Sequence, residues 1–311
     1  MAEPGARAAA ARLGRRSRPA QFVVRLVREK PLGVVGGAIV LLLIAVAVFA
    51  DVISPYPFDE VHLADRLQGP SAQYLLGTDQ VGRDLLSRLI FGARLSLAVG
   101  LSATAINIAV AFLIGGTSGF LGGKVDLMVQ RFVDAWIAFP GLLLLLTIMS
   151  VVGQGLAQTI VVLGVAGGIP GSRIIRGAVI GIKESAYFQA AESVGSSKAR
   201  TLFRHVLPNT TPLIIIIFSI NIGGVIISEA SLSFLGFGLP REIPSWGGML
   251  SREGRSYMEL APHLALLPGL CLTVTVYGLN MLGDAVRDLL DPRLRGGTGR
   301  LGAAAKPGRV R

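Results

Sequence analysis

Cysteine and histidine are nearly absent from this chain. One cysteine, Cys271, and three histidines, His62, His205 and His263, stand among 311 residues. So few ligands, so widely spaced, build neither a disulfide framework nor a metal cluster. Charge is scarce too. Only 16% of the residues are charged, against about 25% in an average soluble domain. The chain also lacks a Gly-x-x-x-x-Gly-Lys-Ser/Thr loop, whose backbone amides would cradle a nucleotide. The nearest approach, Gly123-Lys124, has Ser118 where the first glycine belongs and Val125 after the lysine. ATP hydrolysis is therefore not this chain's own chemistry, and no cofactor site is expected in it.

What the chain has instead is long uncharged runs. Mean hydropathy is +0.61. Runs without an ionisable group cover Pro31 to Ala50, Leu95 to Gly123, Ala135 to Ser172, Val206 to Ser228 and Leu264 to Gly283. About 20 apolar residues make a helix long enough to cross the hydrocarbon core. The longest run holds two such helices around Gly153-Gln154-Gly155. Six spans are predicted, at roughly 32–53, 96–118, 132–152, 156–176, 210–233 and 264–284. The fold class is an all-α polytopic membrane protein. Ala45-Val46-Ala47 looks like a signal-peptide cleavage site. The basic region before it is too long, however, and the apolar run exceeds the usual h-region, so the first span reads as a retained anchor.

Positive charge sets the expected orientation. Arg7, Arg12, Arg15, Arg16, Arg18, Arg25, Arg28 and Lys30 precede the first span. Arg287, Arg293, Arg295, Arg300, Lys306, Arg309 and Arg311 close the chain, and Arg173, Arg176, Lys183, Lys198, Arg200 and Arg204 lie between spans four and five. Six spans put these regions on one face, which the positive-inside rule makes cytoplasmic. The net charge of +11 is thus a topology signal, and nucleic acid is not an expected partner. The expected organisation is a basic cytoplasmic tail at 1–30, a first helix and extracytoplasmic loop at 31–92, a transmembrane domain at 93–288 and a second basic tail at 289–311.

Two water-compatible segments interrupt this pattern. In the outer loop, Asp79, Arg83, Asp84 and Arg88 are spaced to form ion pairs along a short surface helix, between the turn glycines Gly77 and Gly82. Such exposed pairs contribute little energy. On the cytoplasmic side, 183–209 carries Tyr187, Ala190, Ala191 and Val194, then Leu202, Phe203 and Val206, at helical spacing. Gly195-Ser196-Ser197 separates the halves, so two short helices at an angle are expected. Pro208 suits the first turn of span five. Small residues at Ala190, Ala191 and Gly195 give lipid little to hold, but they let another protein's backbone approach closely.

Gln189-Ala190-Ala191, Gly195 and His205-Val206-Leu207-Pro208 resemble the EAA motif of bacterial binding-protein-dependent ABC importer permeases. Over nearly its whole length the chain is similar to the C-type permease subunit of the dipeptide/oligopeptide (peptide/nickel) importer family. The matching signatures are Leu76–Arg88 with Gly92–Leu97, Glu229–Gly238 with Ser245–Leu250, and Asn280–Arg293. The resemblance implies a type I ABC importer permease fold in the bacterial inner membrane. It implies a second, B-type permease as heterodimer partner, two ATP-binding subunits that hold ATP and Mg, and an extracytoplasmic substrate-binding protein, all around the lipid bilayer. It further implies that Gln189, Ala190, Ala191, Gly195, Ser196, Lys198, Leu202, Phe203, His205 and Pro208 form the coupling segment. There Gly195 would set the bend, and Leu202 and Phe203 would tie the segment to the bundle. Gln189 stands where the motif has Glu, so grip rests more on shape and small residues than on a carboxylate.

Polar groups within spans usually face the bundle interior or a wet cavity. Asn107, Ser219, Asn221, Glu229 and Asn280 are the candidate pathway residues, with Ser102, Thr104, Thr273 and Thr275 beside them. Helix–helix hydrogen bonding is the alternative role for each. Glu229 is the costliest of them to bury. Pro140, Pro170, Gly167, Gly168 and Gly171 point to kinked helices. Two other classes fit the residues less well. Gly116-Thr117-Ser118-Gly119 has the pattern of a rhomboid-like serine protease, but no histidine lies mid-span to activate the serine. An ion-coupled secondary transporter would want a charge deep in a span and an internal repeat, and neither is evident.

Overall fold

The computed structural model describes residues 18–185, 188, 198–240 and 242–290. The long helices are α1 (Arg18–Glu29), α2 (Pro31–Val48), α3 (Leu85–Leu121), α4 (Gly123–Ile137), α5 (Gly141–Val152), α6 (Leu156–Lys183), α7 (Leu207–Phe234) and α8 (His263–Leu290). Among the described residues there is no strand, only an isolated bridge between Thr78 and Asp84.

Five helices, α2, α3, α6, α7 and α8, are long and apolar enough to cross a membrane. The expected third span is not a straight helix. It is the pair α4 and α5, bent by 90°. Pro140 at the break has no N–H to donate and disfavours helical geometry in the residue before it. The four charged residues of α4, Lys124, Asp126, Arg131 and Asp134, are costly in hydrocarbon. The two carboxylates are held instead by α6. Arg176 donates to Asp126 at 2.6 Å and 2.5 Å, and Arg173 pairs with Asp134. Pro170, by contrast, sits inside an unbroken α6.

The second span is also longer than its uncharged run. It starts at Leu85 rather than near 96, because the Asp84 carboxylate caps it by accepting the Ser87 N–H at 2.7 Å. Arg88 and Arg94 then lie within the helix. Near the other end a π turn at Phe112–Gly116 interrupts the α ladder. Helix α7 opens with Pro208 in its first turn, as the fixed φ of proline favours.

Packing gives the bundle two distinct ends. At one, Trp246 and Met249 on a short helix, Trp246–Met249, bury against Leu43 and Ala47 of α2, Leu85, Leu89 and Ala93 of α3, and Leu264 of α8. The Trp246 indole N–H reaches the Leu89 carbonyl at 3.1 Å. At the other, the Lys183 end, Ala111 and Phe112 of α3 meet Ile175 and Val179 of α6, with Phe188, Leu202 and Val206. Lys30 and Asp288 pair at 2.5 Å where α2 begins and α8 ends. The two described extremities of the chain therefore meet at one end of the bundle.

The centre is closed by glycines. A Cβ on Gly115 would overlap the Ser172 carbonyl oxygen and stand 3.0 Å from Arg176 N. On the facing helix, a Cβ on Gly164 would come within 2.6 Å of the Ile106 side chain, and one on Gly168 within 2.7 Å of the Asn107 carbonyl oxygen. Gly164 and Gly168 are four residues apart on one face of α6, the spacing that lets membrane helices approach backbone to backbone.

Candidate functional site

A cavity of about 600 Å³ opens in the flank of the bundle. Helix α6 lines it with one stripe: Leu163, Ala166, Gly167, Pro170, Gly171 and Ile174. These positions recur at helical spacing, and most are small. Asn221, Gly224, Val225 and Ser228 of α7 form a second wall. Trp136, Phe139 and Leu144 come from the bent α4–α5 pair, and Asn107 from α3. The α4–α5 bend therefore shapes the site, since it carries Trp136 across to donate to the Ala166 carbonyl at 3.3 Å. No charged side chain lines the cavity among the described residues.

Of the five predicted pathway residues, Asn107 and Asn221 share this cavity. The other three are placed elsewhere. The Ser219 hydroxyl donates to the Ile215 carbonyl of its own helix at 2.9 Å. The Asn280 oxygen lies 2.9 Å from where a Cβ on Gly223 would stand, in the α7–α8 contact. Glu229 is 1% exposed and accepts the Ser233 hydroxyl at 2.7 Å. The Ser245 hydroxyl is its second partner, and Ser245 in turn caps the Trp246–Met249 helix by accepting the Gly248 N–H. Glu229 thus anchors the Trp246–Met249 helix to α7. Ser228 joins the cavity wall and was not predicted. Its i+7 relation to Asn221 on one helix face was the available signal.

The cluster at Asp79 is not the exposed network expected from the sequence. Asp79 is 0% exposed, Asp84 3% and Arg88 2%. The Asp79 carboxylate accepts the N–H groups of Val81 and Arg83 at 2.9 Å and the Arg83 guanidinium at 2.6 Å, with Arg88 at 3.6 Å. Nor is the segment a surface helix. It is a folded turn, with Gly82 at φ +82° where any side chain would overlap the His62 carbonyl. Buried ion pairs of this kind specify one arrangement more than they stabilise it.

Close by, the buried Tyr74 hydroxyl donates to Asp65 at 2.9 Å. Burial and the Asp65 carboxylate push its pKa up to about 12. A phenol whose pKa rises on folding contributes stability that is complete below the unfolded value of about 10 and is lost as pH climbs through the folded one. Phenolate absorbance should therefore show Tyr74 ionising near pH 12. The Tyr74→Phe variant should lose that late phase and the matching fall in stability. Titration of every tyrosine near 10 would contradict the buried pairing.

The predicted coupling segment is only partly in view. Gln189, Ala190, Ala191, Gly195 and Ser196 lie outside the described residues. Lys198–Thr201 and the π turn Leu202–Val206, which includes Phe203 and His205, run directly into α7. Leu202 is 8% exposed within the Lys183-end cluster, while Pro208 is exposed.

A bundle of membrane-length helices around a neutral cavity is the architecture of a polytopic membrane protein. Residues 107–296 match the family described as the binding-protein-dependent transport system inner membrane component, and residues 19–70 match the N-terminal TM domain of oligopeptide transport permease C. The chain belongs to this family and is a permease subunit of an ABC importer. It is 39% identical over 276 residues to the glutathione transport system permease protein GsiD of Pectobacterium atrosepticum, covering 88% of this chain and 91% of that one. It is 40% identical over 273 residues to GsiD of Escherichia coli O6:K15:H31, covering 88% and 90%. Its fold is similar to a chain of the MetNI methionine ABC transporter solved in inward-facing conformations. There the TM-score is 0.53 at 18% identity, over 65% of this chain and 96% of that one.

Proposed function

We propose that this subunit forms half of the translocation pathway of an ATP-driven importer for di- and oligopeptides or a related small solute such as glutathione. The observation that carries the reading is the lateral cavity, neutral and amide-bearing, enclosed by α3, α6, α7 and the bent pair but open on its remaining side. A B-type permease packed against that side completes the path. An extracytoplasmic binding protein delivers the solute at the Trp246 end, where the buried Asp79 turn and the Trp246–Met249 helix make a platform. The Lys183 end, where α2 begins and α8 ends, faces the cytoplasm.

Two ATP-binding subunits supply ATP and Mg and grip segment 183–209. Leu202 and Val206 make that grip effective, because they pack on Ile175 and Val179 of α6 and Phe112 of α3. A push on the segment therefore reaches three cavity-lining helices at once. The test is purification from native membranes followed by ATPase assay in liposomes with glutathione and trialanine as candidate cargo. A co-purifying ATPase, stimulated by cargo-loaded binding protein, is expected. Absence of any ATPase from the purified complex would sink the reading.

A further inference from the structure

Asn107 is 6% exposed, and its carboxamide oxygen is buried with no hydrogen-bond partner among the described residues. Such a group is costly to leave unpaired. The other polar groups of the wall are differently placed. The Trp136 indole donates to Ala166, and the Ser228 hydroxyl donates to Gly224. Asn107 instead has glycine opposite. A Cβ on Gly167 would come within 2.5 Å of its Nδ2, and one on Gly171 within 3.6 Å of its Oδ1. The missing side chains of α6 leave room beside this amide, and Asn107 is one of the residues that line the cavity.

Depth supports a role in the path. Asn107 precedes the end of α3 at Leu121 by fourteen residues, and Asn221 follows the start of α7 at Leu207 by fourteen. At about 1.5 Å per residue both stand roughly 21 Å from the Lys183 end. The two carboxamides are therefore level with each other, deep in the bundle, in a cavity whose remaining wall is mostly apolar. A carboxamide offers a donor and an acceptor in one plane, which complements a peptide unit and makes no demand on side-chain charge.

We infer that Asn107 and Asn221 form a neutral amide clamp that takes the backbone amide of the passing solute, with the Asn107 oxygen accepting the solute's N–H. This rests on the cavity being the half-pathway of a peptide-class importer. The clamp sets the class of cargo, solutes bearing secondary amides, and leaves their side chains free to vary.

The test compares ATP-dependent uptake of glutathione with that of its isostere in which the Cys–Gly amide N–H is replaced by an ester oxygen, in liposomes holding the whole transporter. The wild type should prefer the amide. Asn107→Ala should lower that preference by about tenfold, the worth of one hydrogen bond made in a dry site. Asn107→Asp, which keeps the acceptor and the shape, should retain it. Recovery of intact complex reports on folding; if alanine at 107 impairs assembly, Asn107→Leu, which keeps the volume and removes the acceptor, gives the second reading with the same expected loss. An unchanged preference in the alanine or leucine variant overturns the clamp while uptake still upholds the importer. No ATP-dependent uptake of either compound by the wild type overturns both.

Discussion

Gly115→Val should abolish the folded permease. The valine side chain has no space to enter, because even its Cβ would overlap the Ser172 carbonyl oxygen and stand 2.8 Å from the carbonyl carbon. These are backbone atoms in the middle of α6, so the conflict is relieved only if α3 and α6 move apart. That motion would also open the contacts at Gly164 and Gly168, where the Ile106 side chain and the Asn107 carbonyl already fill the place of a Cβ. Overpacking commonly costs about 1–3 kcal/mol. Here several close contacts would be lost together, against a total stability of only about 5–15 kcal/mol for a typical domain. The measurement is the monodisperse fraction after detergent extraction, with the thermal midpoint of what remains. Gly115→Ala should fall between wild type and valine. Gly177→Ala, a glycine of α6 whose Cβ would meet nothing within 4 Å, should match wild type. A valine variant with the wild-type midpoint would show that the two helices do not cross at this residue.

Leu202→Ala should uncouple ATP hydrolysis from transport. Leu202 is buried where the Leu202–Val206 turn runs into α7. Truncating a buried leucine costs about 2–5 kcal/mol, and the cavity left behind adds to the loss of contact. The damage falls on the cluster that joins segment 183–209 to α3 and α6, while the glycine-packed centre is untouched. ATPase subunits should therefore still bind and hydrolyse ATP. Solute moved per ATP should fall about tenfold, since one to two kcal/mol is already a factor of five to thirty in an equilibrium. Uptake and phosphate release, measured on the same liposomes, give the ratio. Leu266→Ala, on α8 and 64% exposed, serves as the comparison and should leave the ratio unchanged. An unaltered ratio in Leu202→Ala would mean that force passes by another route.

Some of the fold was legible in the chain because hydrocarbon thickness is a crude and reliable constraint. Uncharged runs of sufficient length can satisfy their backbone only as helices, so the apolar segments could be found without any knowledge of their contacts. Their ends were less legible. Charge was read as the boundary of the second span, yet Arg88 lies 2% exposed inside α3 beside Asp79. A charge ends a span only when nothing in the protein receives it. The α4–α5 bend was half legible. Pro140 announced a break, but the charged half of the bent pair is received by Arg173 and Arg176 of α6 at Asp134 and Asp126, a pairing across about forty residues or more that composition does not reveal.

The site was less legible still. Asn107, Ser219, Asn221, Glu229 and Asn280 look alike in the sequence, as polar residues within apolar runs. Which of them face a common space depends on the rotation of each helix about its axis. That rotation is set by close packing, above all by Gly115, Gly164 and Gly168 between α3 and α6 and by Gly223 and Gly283 between α7 and α8. The chain by itself determined the class, a helical membrane subunit, because length and hydropathy are local properties. Only the tertiary structure decided that Asn107 and Asn221 share a cavity while Glu229 holds a loop, because a residue's neighbours across a bundle depend on contacts between segments far apart in sequence.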